Sequence, residues 1–302
     1  MLDIGCNYIA DDNDKLYSFL IKNKLINVLK FPGKLCNNYE FQSCLNLVRK
    51  LNIKIDLHGL PKMEPKTHSE NMLKNIEWET LPNDLFSLIN KARISTHIGA
   101  EKGQNINSLN NILDNNIKLV KEKFYEKYKE KIQFGGENQS GGYNLPLDEI
   151  SPLNISDVWE KLDFGVFDIS HAKLDSKDLG ITFRDYLNEL GNKDKVKILH
   201  VSGNVDTTGK FKDKIDKHLM MDKSEIKDII YTIKEFHNLD LVITEFAFNS
   251  KYSFKKELII EICTLNTIVK TLSESKSIYI YNYLSDKLKD DISNVNELIH
   301  KI

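Results

Sequence analysis

Histidines and carboxylates in this sequence recur at the ends of short apolar segments and in one later loop. Nine such side chains are His58, His97, Glu137, Asp168, His171, His200, Asp216, His218 and Glu245. Imidazole offers a neutral nitrogen donor and carboxylate a hard oxygen donor, a mixture that suits Fe, Mn or Zn better than Mg or Ca. Because a catalytic ion takes about three to four protein ligands, this set predicts two or three ions. A carboxylate such as Glu137 can bridge neighbouring cations, whose mutual repulsion requires negative charge between them.

The loop after the seventh apolar segment contributes two of these residues. Asp216 and His218 are two positions apart, so an extended loop presents both side chains on one side. Asp206 and Asp213 lie in the same loop and are alternative ligands. We also predict that Asn138 and Asn204, which lie close to the predicted ligands in the sequence, contact the substrate.

The elements that must position these residues are short apolar strands alternating with longer segments of helical period. The predicted strands are Leu2–Tyr8, Ile26–Phe31, Ile53–His58, Arg93–His97, Lys131–Glu137, Phe164–Asp168, Val196–Val201 and Leu241–Phe246. Predicted helices include Asp14–Asn23, Tyr39–Leu51, Ile106–Lys129, Ser224–His237 and Tyr252–Leu272. Eight βα units over about 250 residues predict a single (β/α)8 TIM barrel, residues 1–272, whose strands end on one active face. We expect residues 273–302 to form a C-terminal helical extension packed on the barrel.

Composition restricts the class of protein. The 302 residues are 41% hydrophobic and 28% charged, as in a folded globular protein, which excludes a disordered or collagen-like chain. A formal charge of -2 gives no basic field for nucleic acid. No segment has the roughly 18 apolar residues of a membrane-spanning helix, and the first residues lack the order of a signal peptide. Four cysteines without a CxxC pair favour a reducing compartment, so we expect a cytoplasmic protein.

Several other reactive residues have simpler interpretations. His68, His237 and His300 fall on helical or loop segments away from the predicted face, and we expect them at the surface. The basic run 121–131 is interpreted as the solvated outer face of a helix. Cys6, on the first strand, is expected to be a small buried hydrophobe rather than a nucleophile.

The motifs together resemble those of the multinuclear non-haem iron-dependent oxidases, especially the methanobactin-biosynthesis type. The similar segments are IGCNY at 4–8, DLHG at 56–59, STHI at 95–98, GEN at 136–138, GVFD at 165–168, HVSG at 200–203, IDKH at 215–218 and ITE at 243–245. HVSG followed by IDKH is the most discriminating part. His171 departs from the family, whose members commonly have Asn at this position.

The resemblance implies a TIM barrel that holds two or three iron ions and uses O2 to modify cysteine residues of a ribosomally made precursor peptide. A small partner protein that presents the peptide leader is often involved. The family's metal ligands carry over onto His58, His97, Glu137, Asp168, His200, Asp216, His218 and Glu245.

Two other enzyme classes remain open. The segment DISHA at 168–172 also resembles endonuclease IV, a barrel that uses three zinc ions on abasic DNA, although Lys217 stands where that family has Arg and its Asn-Asp-Ser run is missing. A sugar isomerase or epimerase of the xylose-isomerase-like group is the third interpretation. It would need only Glu137, Asp168, His200 and Glu245. A binding barrel without catalysis is disfavoured, because so many costly polar groups converge.

Overall fold

Eight parallel strands form a closed barrel in the computed structural model, which describes residues 2–9, 14–33, 38–99, 110–138, 151–203, 221, 223–245 and 254–274. The strands are β1 (Asp3–Asn7), β2 (Val28–Phe31), β3 (Lys54–His58), β4 (Ile89–His97), β5 (Gln133–Glu137), β6 (Phe164–Asp168), β7 (Val196–Val201) and β8 (Leu241–Thr244). Each strand pairs with the next, and β8 pairs with β1. The predicted (β/α)8 fold is therefore confirmed.

Helices connect the strands. They are α1 (Asp14–Lys22), α2 (Asn38–Leu51), α3 (Leu85–Leu88), α4 (Asn110–Tyr128), α5 (Pro152–Lys161), α6 (Ile169–Leu179), α7 (Phe183–Glu189), α8 (Lys223–Glu235) and α9 (Phe254–Glu274). Short 3-10 turns lie at Trp78–Thr80 and Lys193–Lys195. Helix α5 begins where Ser151 accepts a hydrogen bond from the Asn154 amide, with Pro152 in the first turn. The predicted extension beyond residue 274 lies outside the described residues.

Apolar side chains pack on both sides of the strands. Inside the barrel they form one small cluster of Val28, Phe164, Val166, Ile198, Leu241 and Ile243. Between strands and helices, the Phe167 ring lies 5.0 Å from that of Phe236, and Trp159 packs over Gly165, where a Cβ would approach its ring to 2.8 Å. The cluster inside the barrel is a dry floor, so polar residues at the strand ends have only one open side.

Strand β4 corrects the predicted boundaries. It begins at Ile89 rather than Arg93, because Ile89 pairs with Ile55 of β3. Inside the strand, Lys91 and Ala92 adopt positive φ angles of 51° and 52°. The pairing of β3 with β4 shifts register across this irregularity. After this irregularity, Arg93 extends toward the amino end of β8, where its Nη1 donates a hydrogen bond of 2.7 Å to Asp240 Oδ1. The carboxyl end of β4 is unaffected and still ends at His97.

Candidate metal centre

The carboxyl ends of the strands meet at one end of the barrel, called the mouth below. Strand pairing sets His97 beside Glu137 and Asp168 beside His200. His58 pairs in register with Ser95. Because alternate residues of a strand face opposite sides, these terminal side chains converge above the apolar floor.

The first group consists of His58, His97 and Glu137, which offer ligand atoms within 4.8 Å of one another. His58 Nε2 lies 3.4 Å from Glu137 Oε2, and His97 Nε2 lies 3.7 Å from Glu137 Oε1. His58 Nδ1 is 3.0 Å from the Ser95 hydroxyl. This contact fixes the ring so that its other nitrogen points at the carboxylate, as outer hydrogen bonds commonly do for ligating histidines.

The second group consists of Glu137, Asp168, His200 and Glu245, which also lie within 4.8 Å of one another. His200 Nδ1 is 2.9 Å from Glu137 Oε2 and 3.2 Å from Glu245 Oε1. Asp168 caps α6 by accepting a 2.8 Å hydrogen bond from the His171 amide. Glu137 belongs to both groups, so its two oxygens face two adjacent ligand sets.

Buried acceptor atoms test whether this arrangement fits a metal. Three such atoms are the two carboxylate oxygens of Glu137 and Nε2 of His200. Within the described residues, none of the three has a hydrogen-bond partner of normal geometry. Asp56 Oδ2 on β3 and Asn7 Oδ1 on β1 are also buried and also lack a hydrogen-bond partner of normal geometry among the described residues. An unsatisfied buried polar atom costs free energy. Because these atoms are all lone-pair donors, a set of cations fits the site.

The protonation states also favour cation binding. Burial lowers the pKa of His97 and of His200 to about 4, and that of His58 falls well below its usual range through burial and the charge of Lys30. Burial alone would raise the pKa of Glu137, but the surrounding imidazoles hold it well below its usual range. At neutral pH the histidines are therefore neutral and the carboxylate is charged, which are the forms that bind metals.

Two of the predicted site residues are placed differently from the two groups. His171 Nδ1 lies 3.3 Å from Glu137 Oε1, but it also lies 2.8 Å from the carbonyl oxygen of Asn138. The Asn138 side chain is buried, donates to the Asp168 carbonyl at 3.0 Å and accepts from the Asp168 amide at 2.7 Å. Asn138 thus positions Asp168, and its predicted contact with the substrate stays a prediction. Asp216, His218 and Asn204 lie outside the described residues.

Sequence reasoning missed Lys30 and Asp56 as members of this site. Lys30 on β2 is 2% exposed and forms an ion pair with Glu245. Asp56 precedes His58 by two positions and is 1% exposed, and burial raises its pKa to about 6 despite the charges of Lys30 and Arg93. The period of two along a strand is the signal that could have found Asp56, since it shares a face with His58.

The predictions for residues outside the site have mixed outcomes. His68 is completely buried, so its predicted surface position is wrong; its Nδ1 lies 3.2 Å from the Gly99 carbonyl oxygen, and the backbone at Thr67 is held by the Asn116 side chain. His237 is exposed, as predicted. Cys6 is buried, which raises the pKa of its thiol, in agreement with a structural role. His300 lies outside the described residues.

Comparison with known proteins gives the fold. No protein-family model matches the chain, and no curated protein is detectably similar in sequence. A xylose isomerase domain protein from Alicyclobacillus acidocaldarius is 11% identical over 89% of this chain and 99% of its own, with a TM-score of 0.58. A fusion of a xylose isomerase-like TIM barrel with 4-hydroxyphenylpyruvate dioxygenase is 11% identical over 92% of this chain and 45% of its own, with a TM-score of 0.55. The barrel therefore resembles xylose isomerase-like barrels in fold, and the resemblance to the oxidase family stays a prediction. Among the described helices, none has the length and apolar character to cross a membrane.

Proposed function

We propose that the protein is a metal-dependent enzyme whose centre holds at least two adjacent ions that share Glu137. The observation that carries the proposal is the position of this buried carboxylate, which belongs to both groups. Among the described residues, its oxygens have imidazole nitrogens as neighbours but no hydrogen bond of normal geometry. Adjacent divalent ions repel each other, so a shared anion is what a multinuclear centre requires. The mixed nitrogen and oxygen donors favour Fe, Mn or Zn.

Contacts within the chain hold the ligands of this centre in position. Ser95 orients His58, and Asn138 holds the backbone that carries Asp168. Burial keeps the imidazoles neutral. The apolar floor below the mouth excludes water from beneath, so a substrate must approach through the mouth.

We further propose that the ions are iron and that the substrate is a cysteine residue of a precursor peptide. Bound iron would supply O2 activation and an open position for a soft thiolate. The protein would orient the peptide and hold the ligands. The sequence motifs that resemble the peptide-modifying oxidases support this choice, and a small leader-binding partner and a cytoplasmic location belong to the same proposal.

The test uses protein reconstituted anaerobically with Fe2+ and any short Cys-containing peptide that is encoded beside its gene. Admission of O2 should cause O2 uptake and a change in the mass of the peptide. The Glu137→Gln variant should lose this activity, whereas the His237→Gln variant, changed at an exposed position, should keep it. Metal-dependent cleavage of abasic duplex DNA at about one per second or faster, without O2, would replace the oxidase with an endonuclease. Interconversion of a ketose and an aldose would replace it with a sugar isomerase.

A further inference from the structure

Lys30 is a charged side chain buried at the mouth of the barrel. It lies on β2 between Asn7 of β1 and Asp56 of β3 in the strand register and is 2% exposed. A buried ammonium group is costly unless negative charge or hydrogen-bond acceptors compensate it. The groups around Lys30 must therefore supply this compensation.

The contacts of Lys30 fall on the second group. Its ammonium forms an ion pair with Glu245 Oε1 and lies 3.3 Å from His200 Nδ1. His200 Nδ1 is in turn 2.9 Å from Glu137 Oε2. Glu245 and His200 are both members of the second group, so the ammonium and an ion compete for these side chains.

Charge balance explains why a cation belongs here. Glu137, Asp168 and Glu245 bring three carboxylates into the second group, and Asp56 adds another nearby. The first group has two imidazoles and only the shared carboxylate. The second group therefore carries the larger negative charge, and Lys30 lies against that group.

We propose that Lys30 is the resident cation of the second group and sets the order in which the metal sites fill. It compensates the carboxylates before metal arrives, and the ion that binds to the second group must share Glu245 with it or displace it. The second group therefore binds its ion more weakly than its ligands alone would allow, and the first group, whose ligands take no part in the ion pair of Lys30 with Glu245, fills first. This inference rests on the proposed function, since it requires a metal centre.

The experiment is anaerobic titration of the metal-free full-length protein with Mn2+, followed by calorimetry and by the electron paramagnetic resonance of the bound ion. The unmodified protein should show a tight and a weaker site. In Lys30→Met, the weaker site should tighten by at least about tenfold, because a like charge has been removed at close range. The tight site should tighten by less, because the charge of Lys30 acts on His58 but its ammonium contacts side chains of the second group. Lys30→Arg, which keeps the charge, should retain the separation of the two affinities.

The outcomes separate this inference from the proposed function. If the unmodified protein binds two ions and Lys30→Met leaves the weaker site unchanged or weaker, the inference is overturned and the proposed function stands. If the unmodified protein binds no ion, both fail.

A folding defect in Lys30→Met is checked by circular dichroism and by a second neutral variant, Lys30→Gln. A neutral variant that folds only when Mn2+ is present would support the inference, because the ion then replaces the missing charge. Failure of both neutral variants to fold even with Mn2+ would overturn it, because Lys30 would then have a structural role that a metal cannot take over.

Discussion

The shared position of Glu137 predicts a pattern of metal loss that no other residue of the centre should give. Glu137→Gln keeps the size of the side chain and removes one negative charge from both groups. Glu245→Gln removes the same charge from the second group alone, and His58→Gln removes a ligand from the first group alone. We therefore expect Glu137→Gln to weaken both metal sites and each of the other two variants to weaken one.

The size of the effect follows from the short distances in the structure. The Glu137 oxygens lie within 3.7 Å of the nitrogens of His58 and His97, so an ion bound among these atoms is at a similar distance or closer. Two unit charges about 4 Å apart interact by about 4 kcal/mol at an effective dielectric constant of about 20. This value corresponds to roughly a thousandfold in affinity.

The assay is competition for Zn2+ against a chelator of known affinity, with both sites resolved for each variant. His237→Gln serves as the control, since His237 is exposed, and circular dichroism verifies that each variant is folded. Loss of a single site in Glu137→Gln, with the other unchanged, would refute the shared carboxylate.

Three further predictions concern the scaffold. Gly135→Ala should lower the free energy of unfolding by about 1 to 3 kcal/mol, because its Cβ would overlap the ring of Phe164 inside the barrel; urea denaturation measures this. Burial raises the pKa of Glu261 to about 8. The folded protein therefore loses stability as the pH rises from the ordinary carboxyl pKa to about 8. The Glu261→Gln variant should be more stable than the unmodified protein at pH 9 and similar to it at pH 4. Asn138→Ala should lower the free energy of unfolding by about 1 to 3 kcal/mol, because it removes two hydrogen bonds to the backbone of Asp168. It should also lower the metal affinity of the second group more than that of the first.

The prediction for Gly135 has a matched control. Gly191→Ala should be nearly neutral, since its Cβ would meet only Ser156 at 3.4 Å, and equal losses at Gly135 and Gly191 would contradict the packing argument. If Glu261→Gln shows the same pH dependence as the unmodified protein, the pKa assignment is wrong. Unchanged stability of Asn138→Ala would contradict a positioning role.

The strands were predictable because their apolar runs are short and clearly bounded. Phe164–Asp168 and Val196–Val201 have the predicted bounds, and the convergence of their ends follows from the barrel alone. The start of β4 was not predictable, because Lys91 and Ala92 take positive φ angles that non-glycine residues rarely adopt.

Residues of the site were predicted where a histidine or carboxylate ends a strand. They were missed where contacts between distant segments determine whether a side chain is buried. Lys30 was missed because lysine is almost never fully buried unless it is paired, and its partner Glu245 comes from a strand more than 200 residues later. His68 was placed at the surface because its burial depends on contacts with Gly99 and with the segment that Asn116 holds, which no local pattern records.

The most direct test of a multinuclear centre is the iron content and Mössbauer spectrum of protein reconstituted anaerobically with 57Fe2+. We expect more than one iron ion per chain, in nitrogen and oxygen environments, with magnetic coupling between the ions that disappears in Glu137→Gln. One iron ion per chain with the spectrum of an isolated ion would contradict this expectation.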